Sequence, residues 1–214
     1  LLGAWLAKPF AALAPGRLKA LLSMAPSHIP APSSVDRPQV HAAEGLRRGR
    51  VALLIGCAQR VLNPSINEAS IRLLNRCGIE VVVARGADCC GALTHHMGLT
   101  SNSRAKAATN VQAWTAEIEG KGLDAIIINA SGCGTTVKDY GFMFRGDPAL
   151  REMAERVSAL TRDISEYLLE IGIDAAAAPK GLAAGPKAAS RGTRSASHAP
   201  RRTASSPSTT SWSS

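Results

Sequence analysis

Three short apolar runs constrain this chain more than any other feature: residues 51–56 (VALLIG), 79–84 (IEVVVA) and 124–129 (DAIIIN). Each is nearly continuous in hydrophobicity rather than alternating. That pattern belongs to strands covered on both faces, as in a parallel sheet. Helical patterns fill the gaps. Asn63-Pro64 opens a helix that Gly78 can end, with Ile66, Ala69, Ile71, Leu73 and Leu74 as its apolar positions. A second stretch, about 101–120, carries Ala105, Ala108, Val111, Trp114 and Ile118 near helical spacing. Two more helices are expected at about 148–157 and 160–171. Strands alternating with helices imply right-handed crossovers. The expected fold is α/β: a doubly wound parallel sheet in a Rossmann-like three-layer arrangement.

That topology gives the cysteines a meaning. Cys57 follows the first strand, Cys89 and Cys90 lie in the loop after the second, and Cys133 lies in the loop after the third. The three loops share the carboxyl edge of an open parallel sheet, where ligands bind. Gly56, Gly91, Gly132 and Gly134 flank the thiols and permit close backbone approach. Cys77 sits at the end of the first helix, toward the opposite edge, and reads as a small buried hydrophobe. Soft thiolates select iron–sulfur clusters, zinc or Cu(I). Disulfide exchange is a further option, although a vicinal Cys89–Cys90 bridge would be strained. Paired C-x-x-C knuckles of a zinc ribbon are absent. His95 and His96 are candidate imidazole ligands beside the Cys-Cys-Gly loop, with an exposed turn as the plainer role. Thr135 and Thr136 read as helix caps, Lys138 and Arg145 as solvated, and Asp88 as a loop-orienting side chain.

Charge separates the regions. The 214 residues carry a net +9, yet residues 51–174 contribute −2, residues 1–50 contribute +5 and residues 175–214 contribute +6. A uniformly basic nucleic-acid-binding domain is therefore excluded, and no nucleic-acid partner is expected. The expected organisation is N-terminal helices over 1–24, a Pro-rich linker over 25–50, the cysteine-bearing α/β domain over 51–174, and a disordered basic tail over 175–214. No run of 18 apolar residues occurs, so no membrane-spanning helix is expected. The apolar side chains Trp5, Leu6, Phe10 and Leu13 call for a partner surface, in this chain or at a membrane. No Gly-x-Gly-x-x-Gly follows the first strand and no P-loop occurs, so a nucleotide cofactor is not indicated.

The segments Gly56-Cys57-Ala58-Gln59, Gly86-Ala87-Asp88-Cys89-Cys90-Gly91-Ala92 and Ala130-Ser131-Gly132-Cys133-Gly134 resemble the cysteine-rich (CCG) domain of the heterodisulfide-reductase type. The form they resemble is that of glycolate oxidase iron–sulfur subunits. The resemblance extends over about residues 1–174. It implies an electron-transfer subunit with no substrate site of its own. Such a subunit relays electrons from a FAD-bearing partner subunit, which oxidises glycolate to glyoxylate, toward a membrane quinone pool. It also implies two ferredoxin-type [4Fe–4S] clusters near the N-terminus of such subunits, and an iron–sulfur cluster on Cys57, Cys89, Cys90 and Cys133. A fifth family ligand position falls on Ala130, which cannot ligate. The implied location is cytoplasmic, peripheral to the inner face of the bacterial inner membrane. The ferredoxin run C-x-x-C-x-x-C-x-x-x-C-P is absent, and the second cysteine-rich domain expected after residue 175 gives way to the basic tail. The corresponding expectation is a reading frame incomplete at its start and shifted near residues 180–185. A cluster-free docking module of the same complex and a zinc-binding module are the alternative readings.

Overall fold

The three apolar runs become the centre of a five-stranded sheet in the computed structural model, which describes residues 28–173 together with Gly16, Arg17, Lys19, Ala20 and Pro26. The elements are β1 (Gln39–His41), β2 (Gly49–Leu53), α1 (Gln59–Leu62), α2 (Ser65–Arg76), β3 (Ile79–Val83), α3 (Ala92–His96), α4 (Thr100–Gly120), β4 (Ala125–Ile128), α5 (Ser131–Lys138), α6 (Tyr140–Met143), α7 (Arg151–Leu160), β5 (Thr161–Asp163) and α8 (Ile164–Glu170). Strand order is β1-β3-β2-β4-β5. All pairings are parallel except β1 with β3. Register places Val51 opposite Val81 and Ala52 opposite Ile126. The chain runs from β2 to β3 on one side, then crosses to β4 on the other side of β2. That reversal is the switch point of a doubly wound sheet.

Side-chain alternation along the strands divides the core between two faces. Ala52, Leu54, Val82, Ala84, Ile126 and Ile128 pack against Ala107, Val111 and Trp114 of α4, with Val137, Tyr140, Phe144, Ala154 and Val157 beside them. Val51, Leu53, Ile55, Val81, Val83 and Ile127 face Ile71 and Leu74 of α2 and Tyr167 of α8. Each large apolar side chain buried this way contributes about 1.5–3 kcal/mol. The α/β expectation therefore holds, with one antiparallel edge strand added.

Several sequence expectations need correction. The Pro-rich stretch supplies β1, a three-residue edge strand that pairs with β3. The start of the helix expected at about 160–171 is instead β5, a short parallel strand beside β4, and the helix begins at Ile164. The buried face of α2 is Asn67, Ser70, Ile71 and Leu74, whereas Ile66 and Leu73 are exposed. In α4 the buried positions are Ser103, Ala107, Asn110, Val111, Trp114 and Thr115, and Ala105 is exposed. The helices expected over 1–24, apart from four described residues, and the tail over 175–214 lie outside the described residues. Among the described residues no helix is long and apolar enough to cross a membrane.

Candidate metal centre at the carboxyl edge of the sheet

Each thiol owes its place to a strand end. Cys57 follows β2, one residue after Gly56, whose φ of +73° turns the chain across the sheet edge. Cys89 and Cys90 end the loop after β3, where Gly91 adopts φ +84° and starts α3. A side chain at Gly91 would meet the Ser103 carbonyl oxygen and hydroxyl at 3.0 Å. Only glycine gives both that backbone and that clearance. Cys133 lies in the first turn of α5, where its N–H donates to the carbonyl of Ala130.

All four cysteines line one cavity of about 450 Å³, walled by Leu54, Leu62, Ile66, Leu93 and Ile128 and touched by His96 and Ala130. No carboxylate lines it. Cys89 donates to Cys57 with 3.3 Å between sulfurs. The neighbouring Cys133, with burial, pushes the Cys90 thiol far up. Cys90 in turn draws the Cys133 thiol below its usual range, against the opposing effect of burial. Burial, then the bond to Cys89, pushes Cys57 up. Backbone N–H groups of Gly91 and Ala92 donate to the sulfurs of Cys89 and Cys90. Among the described residues no three His, Cys, Asp or Glu side chains are spaced to hold a single metal ion.

Buried polar side chains fix the loops. Asn110, fully buried, accepts the N–H of Asp88 at 2.8 Å and donates to the carbonyl of Cys89 at 3.1 Å. It also donates to the hydroxyl of Tyr140, which donates to the carbonyl of Cys90 at 2.8 Å. Burial raises the Tyr140 phenol well above its ordinary range, so it stays a donor. The loops after β2 and β4 share a second hub. Asn67 donates to the carbonyl of Ile55, and Gln59 bridges the side-chain oxygens of Asn67 and Asn129. Asn129 donates to Asn67 and to Ser70. Sequence reading missed Asn67, Asn110, Asn129 and Tyr140. The available signal was a polar residue in phase with an apolar stripe: Asn110 falls on the face of Ala107, Val111 and Trp114.

The other candidates resolve simply. Cys77 caps α2 at its C-terminus and packs on the second core face, away from the thiol cavity. His95 and His96 form the last residues of α3; His96 reaches the cavity wall and His95 does not. Thr135 and Thr136 are not caps: both hydroxyls donate to carbonyls one turn earlier, within α5. Asp88 orients its loop through its N–H, while its carboxylate pairs with Arg60 at 3.2 Å. Lys138 pairs with Glu166 at 2.8 Å, and Arg145 stacks on Phe142 at 3.8 Å.

Comparison with known proteins agrees with this geometry. Residues 51–138 match the family model of the cysteine-rich domain (CCG). The glycolate oxidase iron–sulfur subunit of Escherichia coli is 42% identical over 128 residues, covering 60% of this chain and 31% of that protein. The probable glycolate oxidase iron–sulfur subunit of Bacillus subtilis is 32% identical over 143 residues, covering 65% of this chain and 31% of that protein. Lactate utilization protein A of Geobacillus thermodenitrificans is 24% identical over 122 residues, covering 57% of this chain and 48% of that protein. The chain thus spans about a third of the length of the first two relatives. No solved structure matches it. Residues 51–138 thus carry the likeness to the cysteine-rich CCG domain, and the chain resembles the iron–sulfur subunit of glycolate oxidase.

Proposed function

We propose that this chain is the iron–sulfur, electron-transfer part of a flavin-dependent glycolate oxidase complex, with Cys57, Cys89, Cys90 and Cys133 as its cluster-binding residues. The observation that carries this reading is the convergence of four thiols from three strand-end loops on one cavity without carboxylates. Soft sulfur donors in an apolar, oxygen-poor setting fit an iron–sulfur group. Such a group, when bound, supplies one-electron storage between a flavin and an acceptor. The thiol side chains would provide the sulfur donors. The N–H groups of Gly91 and Ala92 would spread charge from Cys89 and Cys90. Asn110 and Tyr140 hold the two adjacent cysteines in place through their carbonyls. Leu54, Leu62, Leu93 and Ile128 shield the sulfurs from water.

The substrate of the complex, its FAD-bearing partner subunits and its place on the cytoplasmic face of the membrane, near a quinone pool, belong to the same proposal. Glycolate is favoured over lactate because the two glycolate oxidase relatives share more identity than the lactate utilization relative does. Anaerobic reconstitution with iron and sulfide tests the reading. The expected product absorbs in the visible, holds stoichiometric iron, and is bleached by a glycolate-reduced flavoprotein partner. A folded, colourless product with four free thiols overturns it. The second reading, a cluster-free docking module, would then stand. It is favoured by Ala130 at the fifth position and by the bond between Cys89 and Cys57. Zinc recovered in place of iron would support the zinc-binding alternative.

A further inference from the structure

We infer that, in the metal-free chain, Cys57 and Cys89 form a reversible dithiol–disulfide couple, a modification of two of the four site cysteines that needs no cluster. The two sulfurs come from different loops, lie 3.3 Å apart and already share a hydrogen bond. Closing that gap to a bond of about 2.05 Å needs a sulfur movement on the order of 1 Å, within reach of side-chain rotation. The other pairings are less favoured. A Cys89–Cys90 bridge closes a strained vicinal ring. Cys90 is 2% exposed and held by the N–H of Ala92 at its sulfur and by Tyr140 at its carbonyl. Both partner loops are anchored, by Asn67 at the carbonyl of Ile55 and by Asn110 at the carbonyl of Cys89. The sulfurs therefore meet without rearrangement of the backbone.

The oxidant is a low-molecular-weight disulfide. Cys57 is the more accessible of the two, whereas Cys89 is buried. The Cys57 sulfur, as thiolate, attacks one sulfur of the reagent. A Cys57–reagent disulfide forms, the reagent's own S–S bond breaks, and the departing thiolate takes up the proton that Cys57 gave. Cys89 then attacks the Cys57 sulfur and expels the second half of the reagent, which leaves as a thiol with the proton of Cys89. Two protein thiols lose two electrons, and one reagent disulfide becomes two thiols. A thiol reductant reverses both steps. The couple would cap half of the donor set while the site is unloaded. The inference does not require that a cluster ever binds.

Tryptic cleavage makes the test direct, because Cys57 falls in peptide 51–60, Cys77 in 77–85, Cys89 and Cys90 in 86–104, and Cys133 in 122–138. The metal-free full chain is incubated with oxidised glutathione, alkylated, digested and mapped by mass. The expected dominant product links peptides 51–60 and 86–104, is reversed by dithiothreitol, and leaves the peptides of Cys77 and Cys133 alkylated. The link persists in Cys90→Ser and disappears in Cys89→Ser. A bridge within 86–104, a dominant link to 122–138, a link surviving in Cys89→Ser, or full alkylation overturns the inference. Iron reconstitution reads a different property, so failure here leaves the cluster proposal standing, and the reverse also holds.

Discussion

The two ends of the same sheet solve opposite electrostatic problems. At the amino edge, Arg50 is only 5% exposed, yet it is enclosed by matched partners. Its guanidinium donates to Glu80 at 2.8 Å, Glu117 at 2.7 Å and the carbonyl of Gly122 at 2.8 Å, while its N–H donates to Asp124 at 2.7 Å. At the carboxyl edge, Cys89 bonds to Cys57, backbone N–H groups reach the sulfurs of Cys89 and Cys90, and the four cysteines line a cavity that contains no carboxylate. One edge neutralises its buried charge with protein carboxylates. The other gathers uncharged thiols on loops that buried side chains anchor. Stability and function are therefore separable here, and substitutions can separate them.

Arg50→Ala should have the largest effect. It leaves Glu117 without its Arg50 partner and Glu80 with only the exposed Arg47 at 3.5 Å, and loss of a buried partner costs about 3–5 kcal/mol. The partial exposure of both carboxylates places the expectation near the lower figure. Denaturant unfolding reads it, and iron uptake by the fraction that remains folded should be unchanged. If Arg50→Ala abolished iron uptake by folded protein, the two edges would not be independent.

Gly91→Ala comes next. A left-handed backbone costs a non-glycine residue about 1–2 kcal/mol, and contact with the Ser103 carbonyl oxygen at 3.0 Å adds to it. Gly98→Ala is the control, with φ +76° and open space around it, so it should lose only the backbone part. Equal losses in the two variants would show that the Ser103 contact is unimportant.

Tyr140→Phe should cost about 1–2 kcal/mol, the penalty of leaving the carbonyl of Cys90 without its donor. Its sharper consequence is at the other edge. Reconstitution should proceed with a weaker or more labile cluster, read as a shifted visible spectrum or potential. A stability loss with an unaltered spectrum and potential would reduce Tyr140 to a core residue.

The smallest effect is on pH dependence. Burial, followed by the nearby Asp124 carboxylate, pushes the Tyr167 phenol up to about 12. The folded chain then keeps this proton more tightly than the unfolded chain, whose tyrosine titrates near about 10. The contribution is fully present below that unfolded value and is lost as pH rises through the folded one. Unfolding free energy should fall between those two values, and Tyr167→Phe should flatten that slope. An unchanged slope in the variant would place the alkaline loss elsewhere.

The sequence made the central strands and the common edge of the thiols legible, because continuous apolar runs have few other uses and Cys57, Cys89, Cys90 and Cys133 each lie in a segment that follows one. It did not disclose β1 or β5. Each is three residues long, with none of β1 and only Thr161 of β5 buried, too short for any periodicity to register. The helix faces were misphased for a related reason. Asn67, Ser70 and Asn110 occupy buried positions that apolar residues would normally hold, because their side chains satisfy loop carbonyls and amides at the site. The same substitutions that obscured the amphipathic pattern are the ones that fix Cys57, Cys89 and Cys90. Gly91 was noted only as a flanking glycine; its contact with Ser103 depends on α4 packing against the loop, which no local pattern reports.

Iron and acid-labile sulfide content after anaerobic reconstitution, measured side by side for the unsubstituted chain and for the Cys57→Ser, Cys89→Ser, Cys90→Ser, Cys133→Ser and Cys77→Ser variants, tests the central claim most directly. The account predicts full loading in the unsubstituted chain and in Cys77→Ser, with strong loss in each of the other four. Equal loading across all variants, or none in the unsubstituted chain, would contradict it.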